Sequence, residues 1–317
     1  MLKFVAGRLI STMLTLVGVS IVIFLAIRSV PGSFEEVLVP RGTPEFRAAL
    51  AARLGLDQPL VIQYLRWVAA LLRGDFGDSL VTSKPVWDEF RQRIFVTAEI
   101  ALAAMVIATL VGGGIGVAAG FGGDRRLWGG LGRVVPSLCG SAPDFVLGSA
   151  MLFMFSRFAP GVSVGKWVSA QESLSLHLQS VLIPAAALSF FGVGLVAATA
   201  RHAVISVQQQ DHVTAATLRG LTRMQIIRRH ILRNVSIPVL TVLGIYLGYL
   251  LGGAVLIENL FSVPGFGRYL LQGIMGRDYP VVQAGVMLSA SFFVVINMVT
   301  DIIYAKLDPR FRDGGDR

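Results

Sequence analysis

The stretch DHVTAATLRGLTRMQIIRRHILR, Asp211 to Arg233, lies between two apolar blocks each long enough to cross a membrane. It is too polar to sit in lipid, so it forms a loop on one side of a bilayer, where a soluble partner can reach it. Its internal order predicts two short helices. The first runs from Asp211, an acidic start, to Leu218 and stops before Gly220. The second runs from Met224 to Leu232, with Thr222 placed to cap it. Gly220 is the hinge between them, because glycine turns tightly without a steric penalty.

Composition agrees with a membrane setting on both sides of this loop. Of 317 residues, 54% are hydrophobic and only 15% charged, and the mean hydropathy is +0.68, values of a polytopic membrane protein rather than a soluble domain. The net charge of +9 sits in clusters between apolar spans, not along one soluble face. The clusters are therefore topology signals, and no nucleic-acid partner is expected. Cys139 is the single cysteine and cannot form an intrachain disulfide, and the four histidines show no metal-ligand spacing, so no metal site is expected.

Six apolar spans can be drawn, at 9–27, 96–119, 134–155, 179–200, 238–257 and 281–304, each near the roughly 20 residues needed to cross. The fold class is thus an all-α polytopic membrane protein. The first span follows Lys3 and Arg8 like a signal peptide, but it is too long and has no small-residue cleavage site, so it reads as a retained helix. Lys3 and Arg8, then Arg125, Arg126 and Arg133, then the Arg-rich loop, then Lys306, Arg310 and Arg312 fall on one face. The positive-inside rule puts that face, and both termini, in the cytoplasm.

The organisation that follows is an N-terminal end and first span at 1–27, an external segment at 28–95, a five-helix core at 96–305 containing the loop at 201–233, and a tail at 306–317. In the external segment, apolar residues at helical spacing over Phe46–Leu54 and Pro59–Leu72 predict short helices on the outer membrane surface. Gly112, Gly116 and Gly120, and again Gly244, Gly248 and Gly252, recur every fourth residue and suit close helix packing. Pro136, Pro143 and Pro184 interrupt spans, and the third span is expected to be irregular.

Ala215, Ala216, Gly220 and Leu221, with His230, Leu232 and Pro238, resemble the cytoplasmic "EAA" loop of the membrane subunits of binding-protein-dependent ABC importers. The glutamate that names the loop falls at Thr214, a departure that many peptide-type members share. LGLDQPL at 54–60, QYLRW at 63–67, GDFGDS at 74–79, Pro85-Val86, the segment Ile257 to Gly267 and the tail residues Asn297, Asp301, Tyr304 and Asp308-Pro309-Arg310 narrow the likeness to the permease subunits of dipeptide, oligopeptide and nickel importers. The likeness extends over nearly the whole chain.

It implies the type I importer permease fold in a bacterial inner membrane. It also implies a second, homologous permease, usually a different chain, two ATPase subunits that bind ATP and Mg, and an extracytoplasmic solute-binding protein. In that family the first helix of the loop docks on the ATPase, so Asp211, Thr214, Ala215, Ala216, Gly220 and Leu221 are the expected coupling residues. The substrate class it implies is dipeptides or oligopeptides, with nickel or another small solute as the alternative.

The chain lacks a Gly-x-x-x-x-Gly-Lys-Ser/Thr sequence, so it has no phosphate-binding loop of its own, and neither a catalytic residue nor a cofactor is expected. An ion-driven secondary transporter would instead carry an internal repeat and a midplane ion site. Among intramembrane carboxylates, Glu99 and Glu258 fall near outer span ends in reach of water, and Asp301 falls near Lys306 at an inner end. Asp144 falls at mid-span directly after Pro143. Three roles are open to it: lining the translocation path and meeting a cationic group, capping a half-helix, or pairing with a partner subunit.

Overall fold

A computed structural model describes residues 2–29, 45, 57–122, 127–159 and 161–307. The expected helix over Phe46–Leu54, the basic pair Arg125 and Arg126, and the tail from Asp308 lie outside the described residues, as do the side chains of Arg223, Tyr304 and Lys306.

Helix α1, Leu2–Arg28, is followed by α2, Leu60–Leu72. Helix α3, Val86–Ile107, passes through a π-helical turn at Ala108–Gly112 into α4, Gly113–Gly122, so one rod spans Val86–Gly122. Then come α5, Leu127–Ser141, and α6, Asp144–Phe158, which meet at 94°. The long α7, Leu174–Gln208, leads to α8, Asp211–Leu218. The one-turn α9, Arg223–Ile226, and a π-helical turn at Ile227–Ile231 open α10, Leu232–Leu260, which is followed by α11, Phe266–Met275, and α12, Tyr279–Leu307. Among the described residues, five helices are long and apolar enough to cross a membrane, or six if the bent pair counts as one span.

The third span is irregular as its prolines suggest, but only Pro143 breaks it; Pro136 and Pro184 lie inside continuous helices. A second difference concerns the loop. Its second segment is not a separate helix but the first turns of the fifth spanning helix, joined to it through the π-helical turn.

Helix α7 is the hub, packed against α3, α4, α5, α6 and α10. Small residues make this possible. A Cβ on Gly120 would stand 2.6 Å from Val204, and one on Gly116 would stand 2.8 Å from Ala200, so α4 lies flush on α7. Gly248 likewise faces Phe293 of α12, at 3.0 Å. Two contacts, one an ion pair and one aromatic, tie the ends. Arg8 of α1 pairs with Asp301 of α12 at 2.8 Å. At the other end of α1, Phe24 meets Tyr64 and Trp67 of α2 at ring-centroid distances of 5.5 and 5.9 Å, holding α2 on the first span.

Candidate functional site: a basic hairpin and a broken helix

Helix α8 starts with Asp211 in its first turn, a placement that suits the positive end of a helix. Its far end is closed by a Schellman arrangement. The Leu221 N–H donates to the Ala216 carbonyl (3.3 Å) and the Gly220 N–H to the Thr217 carbonyl (3.0 Å). This geometry needs a left-handed residue, and Gly220 provides it at φ +75°. The next turn is capped in both directions. The Thr222 N–H donates to Gln225 Oε1 (2.9 Å), and the Gln225 N–H donates to Thr222 Oγ1 (3.4 Å), a capping box.

The hairpin is not a loose loop. Val213 and Ala216 are buried in a cluster with Ala200, Val204 and Val207 of α7 and Ile231 and Val235 of the fifth span, and Leu221 packs against it. Val117 and Phe121 of α4 join from the side. Burying a side chain such as Val213 is worth about 1.5–3 kcal/mol, so α8 is seated on the ends of three spans rather than held by its turns alone. Ala215 is half-buried, while Asp211, Thr214 and Gly220 are exposed. Asp211, Thr214 and Leu218 fall on one face at i, i+3 and i+7.

Leu218 is 84% exposed and Met224 63%. Neither was among the residues singled out from the sequence. The signal was an apolar residue placed on the polar face of a short amphipathic helix.

Asp144 opens α6 at the break, with Pro143 at φ −62°, ψ 142° before it. Among the described residues its side chain accepts no backbone N–H; it is 8% exposed and Oδ2 accepts a hydrogen bond from the Tyr249 hydroxyl at 2.8 Å. The half-helix-cap role is thus not what its oxygens do. Glu258 differs from expectation. Far from reaching water it is fully buried, accepting from the Thr97 hydroxyl and from the Arg268 N–H at 2.9 Å. Glu99 remains half exposed and meets His177 Nε2 at 2.8 Å. Among the described residues, no group of three or more His, Cys, Asp or Glu side chains could hold a metal ion.

Comparison with known families finds the binding-protein-dependent transport system inner membrane component over residues 112–313, a stretch holding both the hairpin and Asp144. The N-terminal component of such transport systems matches residues 1–101. Among curated proteins, the di/tripeptide transport system permease protein DppB of Pseudomonas aeruginosa is 36% identical over 341 residues, covering 98% of this chain and 99% of that one. The glutathione transport system permease protein GsiC of Salmonella typhimurium is 33% identical over 319 residues, with the same coverage. The dipeptide transport system permease protein DppB of Escherichia coli is 32% identical over 345 residues, again covering 98% and 99%.

Proposed function

The chain belongs to the inner membrane components of binding-protein-dependent transport systems, and from that premise we propose that it forms half of a peptide-conducting pathway driven by ATPase subunits docked on the hairpin at 211–233. The relatives named for di/tripeptide, dipeptide and glutathione transport support a peptide-like solute. A second, different permease chain completes the pathway. An extracytoplasmic binding protein delivers the solute, and both termini face the cytoplasm. ATP and Mg belong to the ATPase subunits, and this chain itself catalyses nothing.

The observation that carries the coupling reading is the packing of Val213 and Ala216 into the ends of α4, α7 and the fifth span. Force applied to the outer face of α8 reaches those spans without passing through a flexible link. ATP acts because it binds the closed ATPase dimer better than the open one, and only that differential can shift the permease between its inward-facing and outward-facing forms. In this chain, α8 transmits the shift; Gly220 and the capping box at Thr222 and Gln225 keep the hairpin stiff.

The test is ATPase activity of the reconstituted complex with and without binding protein, for wild type, Gly220→Pro and Ala216→Glu. Loss of the stimulated activity in both variants, with assembly retained, is the expected result. Normal stimulation in both would reduce the hairpin to a topology-setting surface.

A further inference from the structure

The break between α5 and α6 can be placed in depth by what each half touches. Pro136 of α5 lies 3.4 Å from the Cβ position of Gly194, in the middle part of α7. One turn into α6, Gly148 faces Ile257 at 2.8 Å, near the outer end of α10. The broken ends therefore lie within the depth of the spans, between their middle and that end. Asp144 sits there, joined to Tyr249 at the centre of α10.

A non-helical turn and a carboxylate at this depth are tolerated where they are enclosed by protein or line an aqueous path. Asp144 is more than nine-tenths buried, and only its Oδ2 is taken, by Tyr249; among the described residues Oδ1 accepts no hydrogen bond. Aromatic rings pack around Tyr249. Phe191 lies 4.7 Å from Tyr249 and Tyr246 lies 6.4 Å from it, centroid to centroid. The Tyr246 hydroxyl is already spent on the Leu188 carbonyl, at 3.0 Å. One side stays open: Tyr249 is 41% exposed and Ile245, one turn earlier on the same helix, 62%.

A buried carboxylate with one oxygen unpartnered among the described residues, bonded to a tyrosine that is itself open on one side, has the chemistry that takes an alkylammonium group. The charge meets the carboxylate, and the ring faces attract the cation within about 6 Å. We propose that Asp144, Tyr249 and Phe191 form an intramembrane subsite for the ammonium group of the passing solute. It rests on the import reading above and adds the recognised group, a free amine such as a peptide N-terminus. The subsite holds the amine weakly, as a way-station must, because one ion pair and two ring faces are all it offers.

The test uses the full importer in proteoliposomes with Cys139→Ser and Ile245→Cys, so that the introduced thiol reports on the space beside Tyr249. The thiol is treated with a trimethylammonium-bearing and a sulfonate-bearing methanethiosulfonate. The readout is the cationic-to-anionic rate ratio divided by the same ratio for a free thiol in solution; with Asp144 present it is about ten, as expected of a charged low-dielectric cleft. Asp144→Asn brings the ratio near one, and Asp144→Glu restores it. Should Asp144→Asn not assemble, protection with Asp144 intact decides: propylammonium slows the cationic reagent and propionate does not.

No reaction with either reagent, a ratio unaffected by Asp144→Asn, or equal protection by both small ions overturns the subsite. Peptide uptake is measured on the same vesicles. Its absence with the charge preference intact refutes the peptide reading while the subsite stands.

Discussion

Thr97 in α3 donates its hydroxyl to the fully buried carboxylate of Glu258 at the end of α10, and accepts the Phe266 N–H at 2.8 Å. The same carboxylate accepts the Arg268 N–H. Glu258 thus gathers the second span, the fifth span and the start of α11, supplying acceptors to a helix N-terminus that has no side-chain cap of its own. Its burial among donors explains why a carboxylate is tolerated there.

Glu258→Ala should therefore be among the most damaging single changes at this end of the bundle. Each donor left stranded costs about 1–3 kcal/mol, and two lose their acceptor. Thermal unfolding of the purified complex in detergent checks this: a clear drop in Tm for Glu258→Ala and a smaller one for Glu258→Gln, which keeps one acceptor oxygen. Equal stability of wild type and Glu258→Ala would show that the bonds are not structural.

How far the sequence reached depends on the range of the physics involved. Helix α8 runs over Asp211–Leu218 as its acidic start and Gly220 indicated, because capping and the left-handed turn are local. The packing of Gly112, Gly116 and Gly120 on α7 was legible from spacing alone. Glu258 does lie at a span end, but its burial was not legible, because it depends on Thr97, 161 residues away in the chain, and hydropathy cannot report such a partner. The π-helical turns at Ala108–Gly112 and Ile227–Ile231 left no periodic signature, since one extra residue per turn only shifts the apolar stripe. Arg8 as the partner of Asp301 required knowing that the first and last spans are neighbours.

The glycine contacts predict a sharp contrast within a few residues. A Cβ on Gly116 would stand 2.8 Å from Ala200, whereas one on Gly114 meets nothing within 4 Å. Gly116→Val should push α4 off α7, with a cost of about 1–3 kcal/mol from overpacking. Gly114→Ala should be neutral or slightly stabilising, through better helix propensity. Yield of folded complex and Tm measured side by side decide; equal effects would mean that α4 and α7 do not pack in this register.

The bridge between Arg8 and Asp301 makes a weaker prediction. Its side chains are 47% and 30% exposed, and an ion pair so open to solvent contributes at most about 1 kcal/mol. Asp301→Asn should leave Tm almost unchanged at moderate salt. A large loss would mean that headgroups or a partner chain seal this pair from water.

Leu218 separates coupling from stability more cleanly than any buried position of the hairpin. It is 84% exposed, so Leu218→Ala removes no packing within this chain, and an exposed change of this kind alters stability by less than about 0.5 kcal/mol. Yet it stands on the face shared with Asp211 and Thr214, at the end of a helix whose other face is fixed to three spans. If that face docks on an ATPase, truncating its largest apolar side chain should lower binding-protein-stimulated ATP hydrolysis several-fold, because an apolar anchor of this size is worth about 2 kcal/mol when covered. Tm of the isolated permease pair should not move. Leu218→Met, which keeps the apolar volume, should keep most of the stimulation. A fall in Tm together with activity would place Leu218 inside the fold instead, and unchanged stimulation in Leu218→Ala would move the docking face elsewhere on the hairpin.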